Sequence, residues 1–279
     1  MPPRPDATRP GRMSTPTPMP TSWPEIDWLS PAARVDVAPP PGWYAASKPA
    51  VDYVLAVVLL ALTMPLIAAC WVLVKLTSPG PGFYTQTRAG RGQRPYKIVK
   101  LRTMGHNCEA RSGIRWAVQG DTRVTAVGRF LRATHFDELP QLFNVLRGEM
   151  SLVGPRPERP EVIAAKNLTE KVVGYRERLR VRPGVTGLAQ VQLPADTDLS
   201  SVRYKVVYDL YYVAHESLWL DLRLLGATVL KAAGVGPHWL RRLFLLPDRD
   251  AVARMFRSTL NPPPPPPEPE SSSTELAPA

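Results

Sequence analysis

The chain has 279 residues and carries 33 prolines, 12 of them in 1–42 and 8 in 261–279. The stretch between keeps 31 of the 35 Lys and Arg and 17 of the 24 Asp and Glu, a net charge of +14. That pattern excludes a disulfide scaffold, a collagen and a wholly disordered chain. It predicts one basic core with polyanionic partners between two Pro-rich tails, 1–42 and 261–279, too poor in apolar residues to order themselves.

Tyr53 to Val74 is 22 residues without a charge, about 33 Å as a helix and long enough to cross a hydrocarbon core. We therefore assign 43–77 to a membrane helix. From Lys75 to Arg102 there are seven bases and no acid, which puts the C-terminal side in the cytoplasm. Pro65 removes a backbone bond in mid-run and predicts a break there. On physics alone, a bent spanning helix and one that enters and returns are both open. Cys70 sits in this apolar run and Cys108 in a polar loop, so a bridge between them is not expected and the setting reads as reducing.

The remainder, 78–260, reads as a compact α+β domain, mainly helical. Ser78 to Gly82 is a turn cluster, and Tyr96 to Arg102 alternates as a half-buried strand would. A polar loop covers 105–123. Two short helices follow over Val124–Ala133 and Asp137–Arg147, then a strand over Met150–Val153. Glu158 to Arg180 has a helical pattern interrupted near Gly174. Val185 to Val191 suggests another strand, and Ser200–Tyr212 and Leu218–Ala233 have helical spacing. In 237–246, Trp239, Leu240, Leu243 and Phe244 alternate with Arg241 and Arg242, which suits either an interfacial helix on an anionic leaflet or packing on the core.

Phe136 to Glu158 carries the chemistry. Asp137 stands where a helix should start, since Pro140 is tolerated only in a first turn, and so reads as an N-cap. Glu138 beside it, Arg132 before it and Arg156 after it make the site richer than a cap needs. Paired acids can hold a divalent cation, and arginine can fork onto phosphate oxygens. With an apolar anchor nearby, this points to phosphate chemistry at a bilayer surface.

KIVKLRTM (97–104), the block from Asp121 to Glu158 containing DELPQ and GPRP, RPGVTGLAQV (182–191) and YDLYYVAHESLWLDL (208–222) together resemble the bacterial sugar transferases, the monotopic phosphoglycosyl transferases. The resemblance covers about 48–235. It implies transfer of sugar-1-phosphate from a UDP-sugar to undecaprenyl phosphate with release of UMP, an opening membrane step of exopolysaccharide, O-antigen or glycoconjugate synthesis. It makes Asp137 the nucleophile of a covalent aspartyl-phosphosugar intermediate, and Asp137 and Glu138 the holders of Mg²⁺, with Mn²⁺ as a substitute. Arg132, Arg156, Arg182, Lys100 and Arg102 match positions that the resemblance gives to substrate phosphates or, for the last two, to lipid phosphate or anchoring. It also implies a re-entrant helix broken at Pro65, a site on the cytoplasmic face of the bacterial inner membrane, anionic lipids and downstream glycosyltransferases as further partners, and the small form limited to the catalytic core. Relatives often continue AQV with Asn-Gly-Arg, where this chain has Gln192-Leu-Pro-Ala-Asp; no sugar-specificity residue is carried across. A non-catalytic, membrane-tethered interaction protein is the alternative. Nucleic acid is not an expected partner, because few aromatics interleave the bases and the apolar run has no place in such a protein.

Overall fold

A computed structural model describes residues 34–108, 120–196 and 198–261. Most of both tails and the middle of the 105–123 loop lie outside those residues. Packing begins within the stretch that composition assigns to the first tail. Strand β1 (Arg34–Val35) pairs antiparallel with β6 (Leu260–Asn261), and Val35 and Val37 point inward and are buried.

Helix α1 (Trp43–Thr77) is 35 residues, about 52 Å long. Its buried positions, Tyr44, Lys48, Asp52, Ala56, Leu60, Ile67, Cys70 and Val74, form one stripe along its length. The outer face is just as apolar: Tyr53, Val54, Val57, Val58, Leu62, Trp71, Val72, Leu73 and Leu76 are all exposed. The break expected at Pro65 is not there: the helix runs on through it. The ring leaves the Ala61 carbonyl without its usual donor, yet the lengthwise packing of the stripe keeps the backbone helical on both sides. At its start, the Lys48 amine meets the Asp221 carboxylate, which also accepts from Tyr44 (2.5 Å) and Tyr212 (2.8 Å), while Ser151 donates to Asp52 at 2.7 Å. At its end, Arg102 donates to the carbonyls of Ser78 (2.7 Å) and Pro79 (2.6 Å), where the helix leaves backbone acceptors unpaired.

Strands β2 (Phe83–Ala89) and β3 (Pro95–Leu101) form an antiparallel hairpin from Phe83↔Leu101 to Ala89↔Pro95. Only β3 is expected from the sequence, because β2 buries little more than Ala89 and so lacks an apolar alternation. Helix α2 (Ala126–Thr134) is capped by Thr125, which accepts from Gly128, and stops at His135 in the left-handed region (φ 59°). A 3₁₀ turn (Phe136–Gln141) follows and runs into α3 (Leu142–Leu146). Asp137 is therefore not an N-cap: His135 holds that place, and Asp137 is the second residue of the tighter turn, without a capping bond. Pro140 lacks the N–H that a wider helix would use there, which favours this winding.

Strand β4 (Ser151–Val153) runs parallel to β5 (Gly184–Thr186). The helical pattern of 158–180 resolves into α4 (Pro160–Ala165), α5 (Leu168–Lys171) and a 3₁₀ turn (Glu177–Arg180), split by positive φ at Asn167 and Gly174. A side chain at Gly174 would strike Leu210, so that break is also a close contact. The expected strand over 185–191 stops at Thr186 and continues as α6 (Leu188–Gln192). Helices α7 (Leu199–Ala214), α8 (Leu218–Ala232), α9 (Pro237–Leu243) and α10 (Arg249–Thr259) complete the fold. The fold is mainly helical with short strands. Its main core joins α1, β3, β4, α7, α8 and α10, with a smaller cluster of Cys70, Val74, Leu101 and Leu131 under the C-terminal half of α1.

Candidate active site

Above that smaller cluster lies a cavity of about 840 Å³, walled by the β2–β3 hairpin, the 103–108 segment, α2 and the 3₁₀ turn, Arg156 to Arg159, and Ala195 with Asp196. This volume falls within the ~300–1,000 Å³ typical of small-molecule sites. The left-handed break at His135 turns the chain so that Asp137 and Glu138 face the cavity. Lys100 comes from β3 and Arg156 from the segment after β4, where Gly154 and Gly184 nearly touch. A side chain on Gly184 would lie 2.1 Å from the Gly154 nitrogen.

Glu138 is fixed by two cations: its Oε1 accepts from Lys100 Nζ at 2.6 Å and from Arg156 Nη2 at 3.0 Å. Burial alone would raise its carboxyl, but Arg156 and Lys100 outweigh that and hold it well below the usual carboxylate range. Asp137 has the opposite environment. It is 8% exposed, and among the described residues no side chain bonds to or pairs with its carboxylate. Burial first, and the Glu138 charge second, push it up to about 6, against the pull of Lys100, Arg132 and Arg156. Burial also lowers the Lys100 amine, which Glu138 counters. The site thus holds one carboxylate locked in the charged form and one poised close to neutral pH.

Of the other residues singled out in the sequence, Arg132 lines the cavity and donates Nε to Thr103 Oγ1 at 2.8 Å. Arg102 also lines it, but its guanidinium serves the end of α1. Arg182 stands apart: it is not among the lining residues, and its guanidinium reaches toward Gly148. Arg178 and Asp209 are not among the residues that the sequence reading singles out. They form a buried ion pair at 2.8 Å, and Arg178 Nη2 also donates to the Arg156 carbonyl at 2.7 Å. A chain of bonds thus runs from α7 through Arg178 and Arg156 to Glu138. The available signal was an acid inside the apolar run Tyr208-Asp209-Leu210, on a helix whose neighbours on both sides are buried.

Among the described residues no three His, Cys, Asp or Glu side chains converge as a metal cage. The Asp137–Glu138 pair fits a different mode. Mg²⁺ binds through one or two carboxylates, several waters and substrate phosphates, and only one Glu138 oxygen is engaged by Lys100 and Arg156.

A family model described as bacterial sugar transferase matches residues 43–234. Over 186 residues, 67% of the chain, it is 42% identical to a UDP-N-acetylgalactosamine-undecaprenyl-phosphate N-acetylgalactosaminephosphotransferase of Aeromonas hydrophila, of which it spans 43%. It is 45% identical over 184 residues, 65% of its length, to a UDP-glucose:undecaprenyl-phosphate glucose-1-phosphate transferase of Caulobacter vibrioides, spanning 68% of that protein. To an exopolysaccharide production protein of Rhizobium leguminosarum bv. phaseoli it is 40% identical over 186 residues, 66% of the chain and 93% of that relative.

Proposed function

The chain belongs to the bacterial sugar transferase family, and from that membership we propose that it is a phosphoglycosyl transferase that moves sugar-1-phosphate from a UDP-sugar to undecaprenyl phosphate. The names of its relatives supply the two substrate classes. The observation that carries the reading is the unpartnered Asp137 carboxylate in a cavity where Lys100, Arg132 and Arg156 supply positive charge.

In the first half-reaction an Asp137 oxygen attacks the sugar-linked phosphorus. A phosphorus–oxygen bond to the Asp137 carboxylate forms, the bond to the bridging oxygen breaks, and UMP leaves with the electron pair. In the second, a phosphate oxygen of undecaprenyl phosphate attacks the same phosphorus and Asp137 departs as carboxylate. Splitting one displacement into two lets a water-soluble donor and a lipid acceptor use the same phosphate centre in turn. Arg156 and Arg132 hold phosphate oxygens, and Glu138, pinned by Lys100 and Arg156, keeps its charge whatever the state of Asp137. When bound by Asp137 and Glu138, a Mg²⁺ ion, or Mn²⁺ in its place, offsets charge on the diphosphate and the departing UMP.

The same reading makes the protein monotopic. Both ends of α1 are tied to the domain, through Lys48 and Asp52 at one end and Arg102 at the other, while the outer face between them is apolar. A continuous helix that lies along one leaflet, its apolar outer face toward lipid and its domain tied to both ends, satisfies all three and puts the cavity at the cytoplasmic surface.

The test is UMP release from a panel of UDP-sugars by membrane-embedded protein supplied with undecaprenyl phosphate and Mg²⁺. Continued release that requires lipid and metal, with at most one equivalent of UMP per protein when lipid is left out, is expected, and Asp137→Asn should abolish both. Equal release by folded Asp137→Asn would remove Asp137 as nucleophile.

A further inference from the structure

The loop Gln192 to Asp196 is where this chain leaves the pattern of the family it resembles, and the cavity reaches it: Ala195 and Asp196 form part of the wall that also carries Asp137. Asp196 is a fixed group. Its carboxylate is 3.0 Å from Lys205 Nζ of α7, and both side chains are largely withdrawn from water. Glu158 stands two residues on from Arg156 on the same wall. Its carboxylate lies 3.9 Å from Arg88 Nη1 and accepts from the Arg159 backbone at 3.3 Å. Arg88 is in turn braced by Gln86 (2.7 Å) and the Pro157 carbonyl (3.1 Å).

We propose that Glu158 and Asp196 form the subsite that accepts hydrogen bonds from the hydroxyls of the donor's sugar. The inference rests on the phosphoglycosyl transfer reading and adds to it the residues that choose the sugar. The sugar is bonded directly to the phosphorus that Asp137 attacks, so it lies within one ring's width of the phosphate held by Arg156. On that side the cavity offers two carboxylates, Asp196 paired with Lys205 and Glu158 lying 3.9 Å from Arg88. Carboxylates are acceptors without donors, suited to hydroxyl groups and not to phosphate. The opposite side, toward Phe83, Tyr84 and Met104, is richer in apolar and aromatic surface and is left for the nucleoside.

The experiment measures kcat/KM for UMP release from UDP-glucose, UDP-galactose, UDP-N-acetylglucosamine and UDP-N-acetylgalactosamine. Wild type, Asp196→Asn and Glu158→Gln are compared as full chains in lipid nanodiscs, with UMP inhibition and the dependence on undecaprenyl phosphate recorded alongside. We expect each variant to lose about 10- to 100-fold on the donor that wild type prefers, the loss of a hydrogen bond to a charged acceptor. Discrimination between C4 epimers should narrow, and the inhibition constant for UMP, which has no sugar on its phosphate, should stay within twofold. Unchanged donor ratios in both folded variants would overturn the subsite. A fall in UMP affinity equal to the fall in donor affinity would do the same, by putting these residues on the nucleotide side. If wild type turns over none of the four donors, calorimetry with UDP-sugar against UDP separates the two ideas. An affinity gain from the sugar that Asp196→Asn removes keeps the subsite while the reaction falls; no gain sinks both.

Discussion

At the scale of single residues, the two adjacent acids should respond in opposite directions to neutralisation. Asp137 sits near 6 in the fold against an ordinary value of 3.8. The folded state thus disfavours its charge: the full penalty stands above about pH 6, shrinks as pH falls from 6, and is gone only below the ordinary value of 3.8. Asp137→Asn removes that penalty and should melt higher at pH 7.5, by at most about 3 kcal/mol in stability at ~1.4 kcal/mol per pKa unit. A lower melting point would show that the carboxylate has a stabilising partner. Glu138 is depressed, so its contribution is present at neutral pH and is lost only as acid reaches its lowered value. Glu138→Gln leaves Lys100 and Arg156 without their shared counter-charge and should melt lower, as calorimetry would read. The nucleophile must be ionised, so UMP release should fall as acid protonates Asp137, at a pH below 6 once Mg²⁺ is held there; release that does not fall on acidification through the ordinary carboxylate range would contradict the nucleophilic role. The two acids were legible because they are adjacent and flanked by bases. Which one is paired was not, since that depends on Lys100 and Arg156, 38 and 18 residues from Glu138 in sequence.

Among the elements, α7 acts on the site from beneath. Arg178 bonds Asp209 with one purpose and the Arg156 carbonyl with another. Both contacts run through the single Nη2, so Arg178→Lys keeps a cation for Asp209 on a shorter stem that does not reach the Arg156 carbonyl. We expect kcat to fall about tenfold, the loss of one well-placed hydrogen bond, with the melting point nearly unchanged; a melting point that falls while kcat holds would make the pair structural only. The helices with clear spacing, α1, α7 and α8, were legible in the sequence. In 158–180 the break at Gly174 was legible too, but the one at Asn167 was not, nor was the end of the 185–191 strand at Gly187, because these depend on backbone conformation and on contacts with distant elements. β2 was missed for the converse reason: it is held by pairing with β3, and its own side chains line a cavity instead of a core.

For the whole molecule, the apolar surface continues beyond α1. Trp219, Leu222, Trp239, Leu243 and Leu245 are exposed on and beside α8 and α9, next to Arg241 and Arg242, while Leu240 alone of α9 turns fully inward. Packing on the core holds for Leu240 and Leu246, and the interfacial reading of 237–246 rests on the exposed side chains of the same segment. Trp239→Ser with Leu243→Ser should weaken binding of the detergent-free protein to anionic vesicles, measured by flotation, without altering the melting point. Cysteines placed at 39 and 92 should both resist impermeant label in intact cells; labelling at 39 alone would mean a spanning helix. The knot of Lys48, Asp52 and Asp221 bears on how the protein is made. Lys48 and Asp221 are 173 residues apart, roughly 10–35 s of synthesis at ~5–20 residues per second. For most of that interval the helix is fully synthesised while a lysine and an aspartate at its head lack their final partners. The nascent chain must park them in headgroup water and draw them inward only when α8 arrives, so a chain cut before Asp221 should stay recognisably unfinished to a membrane protease.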